Sequence, residues 1–287
     1  MAYKTRTIIF PSGESAIRFF NPLQIVSHLW RYRDLIQQLT WREVIGRYKG
    51  SFLGLGWSLI QPLIMLGVYT FVFSVIFKAK WGIEPEEGKA AFALTLFIGL
   101  ITFSLFSDMV NSAPTLILSH VNYVKKVVFP LEILILVKFL SVLINALFSL
   151  VVLVVGILFV SGFIPWTALL LPLVWLPMMM FSLGWGYFLA SLGVFVRDLG
   201  PNIPIFTTVL FFLSPIFYPI SAVPEKFRIF CQLNPIAIFV EDSRRVMLWG
   251  MLPDWPYFLG GLVFSTLILV LGFFWFMKSK KTFIDVI

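Results

Sequence analysis

Five stretches of the chain, Leu55–Phe77, Ala90–Met109, Leu131–Val160, Trp166–Val196 and Trp255–Met277, are almost unbroken apolar sequence. A helix needs about 20 such residues to cross the hydrocarbon layer of a bilayer, and each run is long enough. A sixth, Ile203–Ile220, is shorter and carries Pro204, Pro215 and Pro219. Soluble domains hold roughly 45–50% apolar and about 25% charged residues. Here 59% of the residues are hydrophobic and 13% charged, with a mean hydropathy of +0.94. So much apolar surface has no place in a water-solvated core, and the bilayer is the expected solvent. The expected fold is an all-α integral membrane protein of six transmembrane helices, with both termini on one side.

Basic residues indicate which side. The segments presumed to lie inside hold fourteen Lys and Arg, eight of them before Leu55. The presumed outer segments hold seven: Lys78, Lys80, Lys89, Lys226, Arg228, Arg244 and Arg245. The positive-inside rule counts basic residues rather than net charge, so both termini are expected in the cytoplasm. That placement accounts for much of the formal charge of +8 without invoking nucleic acid. Met1–Ser51 has neither the apolar run nor the cleavage site of a secretory leader.

Between Leu23 and Gly50 the pattern changes. Leu35, Ile36, Leu39, Trp41, Val44, Ile45 and Tyr48 alternate at three- and four-residue spacing with Arg31, Arg33, Arg42, Arg47 and Lys49. This is the pattern of a helix lying in the membrane interface, its cations toward anionic headgroups. Gly50, Gly54 and Gly56 then let the chain bend into the first span. The division expected is an N-terminal cytoplasmic segment over 1–54 and a six-span domain over 55–287. A second mixed stretch, Ser221–Asp254, holds Pro224, Pro235 and Pro253 around a helix-like run, Ile236–Trp249. It reads either as short helices dipping into the outer interface or as an interfacial loop.

Catalytic chemistry finds little footing. The Gly88–Lys89 dipeptide is followed by alanine, so the chain lacks the glycine-rich loop with Lys and Ser/Thr that cradles nucleotide phosphates. One cysteine and two distant histidines, His28 and His120, offer no metal pattern. No catalytic residue, metal or cofactor is expected on this chain. Charges within the apolar runs are few: Asp108 ends the second run and Glu132 and Lys138 begin the third, all three expected in the cytoplasmic third of the membrane. Asp108 and Lys138 fall at comparable depth and could pair, or Lys138 could snorkel. No relay of ionisable groups crosses the midplane, which weighs against ion-coupled transport.

Small and polar residues recur every four positions at Ser141, Asn145 and Ser149, and again at Ser182, Gly186 and Ala190, as helix packing in a bundle requires. On the first span Trp57, Gln61, Met65, Tyr69 and Phe73 share a face. Phe206, Leu210, Leu213 and Phe217 share one on the fifth. Such faces suit a sugar-conducting pore, because a ring can stack on a pyranose. They suit ordinary lipid-facing or core packing equally. The loop Asn111–Pro130 is amphipathic, with His120, Lys125 and Lys126, and reads as a structured docking element or as a connector.

The order of these features resembles the ABC-2-type permeases of polysaccharide exporters. The likeness rests on residues 33–77, with Arg47, Tyr48, Lys49, Gly50, Gly54, Gly56, Trp57 and Pro62, and on residues 194–224 and 233–250. The resemblance implies an amphipathic interface helix, six spans, and short outer gate helices between spans five and six. It implies a homodimer in the inner membrane, working with two copies of a separate ATPase that carries ATP and magnesium. The cargo implied is a polysaccharide such as O-antigen, capsule or teichoic acid, often linked to undecaprenyl diphosphate. By the same resemblance His120, Val121, Asn122, Tyr123, Lys125 and Lys126 would couple to the ATPase, and Glu241, Arg244, Arg245 and Trp249 would lie in the outer gate. Trp57, Gln61, Met65, Tyr69, Phe73, Phe206, Leu210 and Phe217 would line the channel. Arg42, Arg47 and Lys49 would meet the lipid diphosphate at its entrance, although anchoring to the membrane surface explains them equally. Export of a small drug or lipid, an enzyme acting on lipid-linked sugars, and a non-transporting scaffold are the competing readings.

Overall fold

The computed structural model describes residues 22–76, 89–125 and 129–287, and every regular element among them is helical. Four helical stretches are long and apolar enough to cross a membrane: Ala90–Leu116, Glu132–Ser161, Trp166–Phe195 and Trp255–Val286. Two apolar ones are shorter, Trp57–Val72 and Leu199–Leu213.

The amphipathic N-terminal region is two helices rather than one, α1 (Pro22–Trp30) and α2 (Arg33–Tyr48), joined by a turn at Arg31 and Tyr32. On α2, Ile36, Leu39 and Val44 are buried while Arg33, Arg42 and Arg47 are exposed. The chain then turns through Gly50 and Gly54, whose φ values of 86° and 51° are left-handed and suit glycine, which has no Cβ to clash. Next comes α3 (Trp57–Tyr69), with Pro62 inside it. A wider π-type turn continues it over Thr70–Ile76. The Thr70 hydroxyl donates to the Leu66 carbonyl at 2.6 Å, a local bond that competes with the regular helical ladder.

The long helices α4 (Lys89–Leu116), α6 (Glu132–Ser161), α7 (Leu171–Phe195) and α11 (Trp255–Ser279) form the body. Between α4 and α6 lies the short α5 (Val121–Lys125). The small-residue pattern on α7 explains its central place: Ser182, Gly186 and Ala190 are all buried. At Gly184 the approach is close, since a Cβ built on Gly272 of α11 would lie 2.1 Å from the Gly184 carbonyl oxygen. Backbone meets backbone there, as small residues permit between helices in lipid.

The fifth apolar run is displaced from its expected bounds. Helix α8 spans Leu199–Leu213, starting earlier and stopping well before Ile220. Ser214 is extended, with ψ of 141°, because a residue preceding proline is driven out of the helical region. The mixed stretch beyond folds as α9 (Glu225–Leu233) and α10 (Pro235–Met247). Asn234 starts α10 by accepting from the Ile236 amide at 3.0 Å, with Pro235 in the first turn, where its missing N–H costs nothing. A last turn, α12 (Phe283–Val286), packs on α5 and α7.

Gly272→Ala should lower the thermal unfolding midpoint of the detergent-solubilised protein, by an overpacking cost of about 1–3 kcal/mol. Gly260→Ala, whose added Cβ would meet nothing within 4 Å, should leave the midpoint unchanged or slightly raised.

Candidate functional site: a polar cleft with charged clamps at both ends

A cleft of about 450 Å³ opens between α3, α4, α6 and α8. Its polar wall comes chiefly from α4, where Ser104, Ser107, Asp108 and Asn111 line it. That spacing of three, four and seven places all four on one helical face. Asn145 and Ser149 of α6 lie opposite, with Gln61 of α3 and Thr207 and Thr208 of α8. Met65, Tyr69, Phe103 and Phe211 supply apolar and aromatic surface beside them. Thr207 donates to the Asn111 side-chain oxygen at 2.9 Å and joins α8 to α4.

Three residues of the expected channel face of α3, Gln61, Met65 and Tyr69, line this cleft. Trp57 lies outside its lining and is largely exposed; the side chain of Phe73 lies outside the described residues. On α8 the lining residues are Thr207, Thr208 and Phe211. Phe206 is exposed, Leu210 packs on the core, and Phe217 is buried with its ring 5.8 Å from Tyr69. Asn145 and Ser149, expected in helix packing, face the cleft instead. Of the stripe at 104, 107, 108 and 111, the sequence reading singled out Asp108 alone, although the four polar residues fall on one helical face within an apolar run.

Arg47 also lines the cleft, from the end of α2. Lys49 is exposed beyond it. Arg42 is turned elsewhere and donates to the Tyr123 hydroxyl at 2.9 Å. Tyr123 stacks on Phe129 at 4.5 Å and on His120 at 5.8 Å, while His120 Nδ1 donates to the Leu116 carbonyl at 2.9 Å. Lys125 reaches the Ile287 main-chain oxygen at 2.8 Å. Val121 is half-buried and Asn122 exposed; Lys126 lies outside the described residues. Lys138 does not pair with Asp108. Its ammonium donates to Glu43 of α2 at 3.0 Å, because α2 lies directly against α6.

The end of the bundle where α1 and α2 lie is closed by a cluster that the sequence reading did not foresee. Glu132, at the first turn of α6, is only 1% exposed. Its carboxylate accepts from His28 of α1 at 2.7 Å and from Lys280, just past α11, at 3.1 Å. The Tyr187 hydroxyl of α7 donates to its main-chain carbonyl at 3.2 Å. Four parts of the chain meet on one residue.

The opposite end has a buried cation. Arg244 of α10 is 0% exposed. It donates to the carbonyls of Thr95, Pro215 and Ile216 at 3.1, 2.8 and 2.9 Å, and to Glu241 at 3.3 Å. Two of those carbonyls belong to the turn after α8, whose backbone acceptors have left the helix. Asp242 accepts from the Asp254 amide at 2.9 Å and so caps α11, and burial pushes its carboxyl up to about 6. Arg245 donates to the Leu252 carbonyl at 2.9 Å, and Trp249 packs at the edge of the core. Glu241, Arg244, Arg245 and Trp249 thus lie together, and Arg244 braces the backbone.

The family profile described as ABC-2 type transporter matches residues 34–248. The chain belongs to this family. Among its relatives, an O-antigen export system permease protein (RfbA) of Myxococcus xanthus is 29% identical over 235 residues, covering 81% of this chain and 87% of the relative. A protein of the same name from Klebsiella pneumoniae is 27% identical over 257 residues, or 88% and 95% of the two chains. The polysialic acid transport protein KpsM of Escherichia coli is 25% identical over 228 residues, or 76% and 83%. With its apolar helices, this ABC-2 protein is a multi-pass membrane protein.

Removing the carboxylate of the ABC-2 chain's Glu132 should cost several kcal/mol, since breaking a buried ion pair from one side typically costs about 3–5 kcal/mol. Glu132→Gln is expected to lower the denaturation midpoint and to make the α1–α2 segment cleavable by protease. His28→Ala, which leaves Lys280 in place, should do both to a smaller degree.

Proposed function

We propose that this chain is the permease subunit of an ATP-driven exporter that moves a lipid-linked, O-antigen-like polysaccharide across the cytoplasmic membrane. The observation that carries the reading is similarity over most of the chain to permeases named for O-antigen export and polysialic acid transport. The cleft supports it chemically. Amide, hydroxyl and carboxylate groups at Gln61, Asp108, Asn111 and Asn145 match sugar hydroxyls, while Tyr69 and Phe211 offer rings to their apolar faces. An apolar drug would leave those polar groups without new partners on entry, which is costly in a low-dielectric site. The cleft therefore favours the glycan over a small drug or lipid.

In this reading the two shorter apolar helices complete six spans, α9 and α10 are the outer gate helices, and both termini are cytoplasmic. The excess of basic residues in the segments facing that side supports the orientation. Two permeases work with two copies of a separate ATPase, which binds ATP and magnesium. The ATPase docks on the turn and helix at Leu118–Lys125, braced by the Tyr123 stack. Arg47 and Lys49 meet the undecaprenyl diphosphate at the mouth of the cleft through charge-assisted bonds. Arg42, bonded to Tyr123, joins the entrance helix to the docking element.

The test is co-purification with an ABC-type ATPase co-expressed from the same organism, followed by ATP hydrolysis with and without lipid-linked glycan. A two-plus-two complex stimulated by glycan is the expected result; stimulation by small hydrophobic compounds alone would overturn the cargo. Asn145→Leu, which removes a polar group from the cleft wall, should reduce glycan export at least tenfold while assembly with the ATPase persists. Export at the parent rate by an assembled Asn145→Leu complex would show that glycan does not pass along this wall.

A further inference from the structure

On the side of α6 turned away from the polar cleft lies a second cavity of about 640 Å³. Its floor is Leu136, Leu140 and Leu143 of α6 with Leu183 of α7 and Leu269 of α11, and its roof is the underside of α1 and α2. The contrast in lining is clear: aliphatic side chains supply most of this groove's walls, with Tyr187 and, from α2, Gln37 and Thr40 among them. Three of the helices that form it are long and apolar enough to cross a membrane.

Its rim has a different chemistry. Trp30 and Trp41 border it, 65% and 58% exposed, and tryptophan at such a boundary places an apolar ring at headgroup level. Arg33 also borders the groove, with its guanidinium 5.7 Å from the centre of the Trp30 ring. Its contact with Asp34 is 3.7 Å long between side chains that are 63% and 86% exposed, a kind of pair that holds weakly in water. Of the cations on α1 and α2, Arg33 is the one that borders this groove, since Arg42 reaches Tyr123 and Arg47 lines the polar cleft. A largely apolar groove with one guanidinium and two tryptophans at its mouth complements a molecule with an apolar tail and an anionic head.

We propose that this groove holds one acidic phospholipid of the surrounding bilayer. An acyl chain lies along α6 beneath α1 and α2, and the headgroup phosphate sits at Arg33. The lipid fills the space between the interface helices and the bundle, beside the point where His28 reaches Glu132. The site does not depend on the transport reading, since lipid retention is measured without export.

The test is native mass spectrometry of the full chain released from mild detergent, after extraction from membranes containing phosphatidylglycerol and phosphatidylethanolamine. One retained phospholipid per chain, enriched in phosphatidylglycerol, is expected. Leu140→Trp, which fills the groove, should reduce retention at least tenfold, while Leu147→Trp on an exposed part of α6 should not. Arg33→Gln, at an exposed position, should abolish the preference for phosphatidylglycerol. It decides the matter alone if Leu140→Trp does not fold. Undiminished retention in folded Leu140→Trp, an unchanged headgroup preference in Arg33→Gln, or a bound polyprenyl phosphate in place of phospholipid would each overturn the proposal.

Discussion

A carboxylate taken out of water at the end of an apolar helix must be paired, and Glu132 finds a hydrogen-bond donor and a cation in two distant parts of the sequence. His28 arrives from the N-terminal helix and Lys280 from the last long one. Uncompensated, such a buried charge would be far more costly than any single packing contact here. Satisfying it brings α1, α6, α7 and the end of α11 to one place. With α1 fixed there, α2 lies along α6, and the Glu43–Lys138 pair forms on the same surface. Arg47 is thereby held at the cleft. The geometry of the cleft mouth follows from a charge that lies outside it.

The other end of the bundle solves the converse problem. Pro215 and Pro219 prevent α8 from continuing, so carbonyl groups appear where a helix would have bonded them internally. Backbone of this kind survives at membrane depth only when protein satisfies it. Arg244, with five donors in a planar fork, is suited to several carbonyls at once and accepts nothing that would compete. A lysine has too compact a head to serve acceptors contributed by both Thr95 and the Pro215–Ile216 turn.

Much of this was legible in the sequence, and the failures share a cause. Apolar runs of sufficient length announced the long helices, and the helix-like run Ile236–Trp249 covered most of α10. Gly50 and Gly54 marked the bend before α3. What could not be read was partner choice. Asp108 and Lys138 are at similar depth along their helices, but depth says nothing of direction, and α2 reached Lys138 first. Asn145 and Ser149 have the spacing of a packing face, and a packing face and a cleft wall differ only in what stands opposite. The Glu132 cluster joins positions 28, 132 and 280, a contact that no local pattern encodes. The boundary of α8 was misplaced because hydropathy carried through prolines that the backbone could not follow.

The contact between Gly184 and Gly272 has a mechanical side. Helices that touch through side chains can slide a little as rotamers change, whereas α7 and α11 touch through their backbones and have no such cushion. They behave as a single stiff post. Neither helix of that post lines the cleft, which is walled in part by α3 and α8, the two shorter apolar helices. Any change in the width of the cleft therefore falls to those two elements, as a door moves on its hinge side while the jamb stays still.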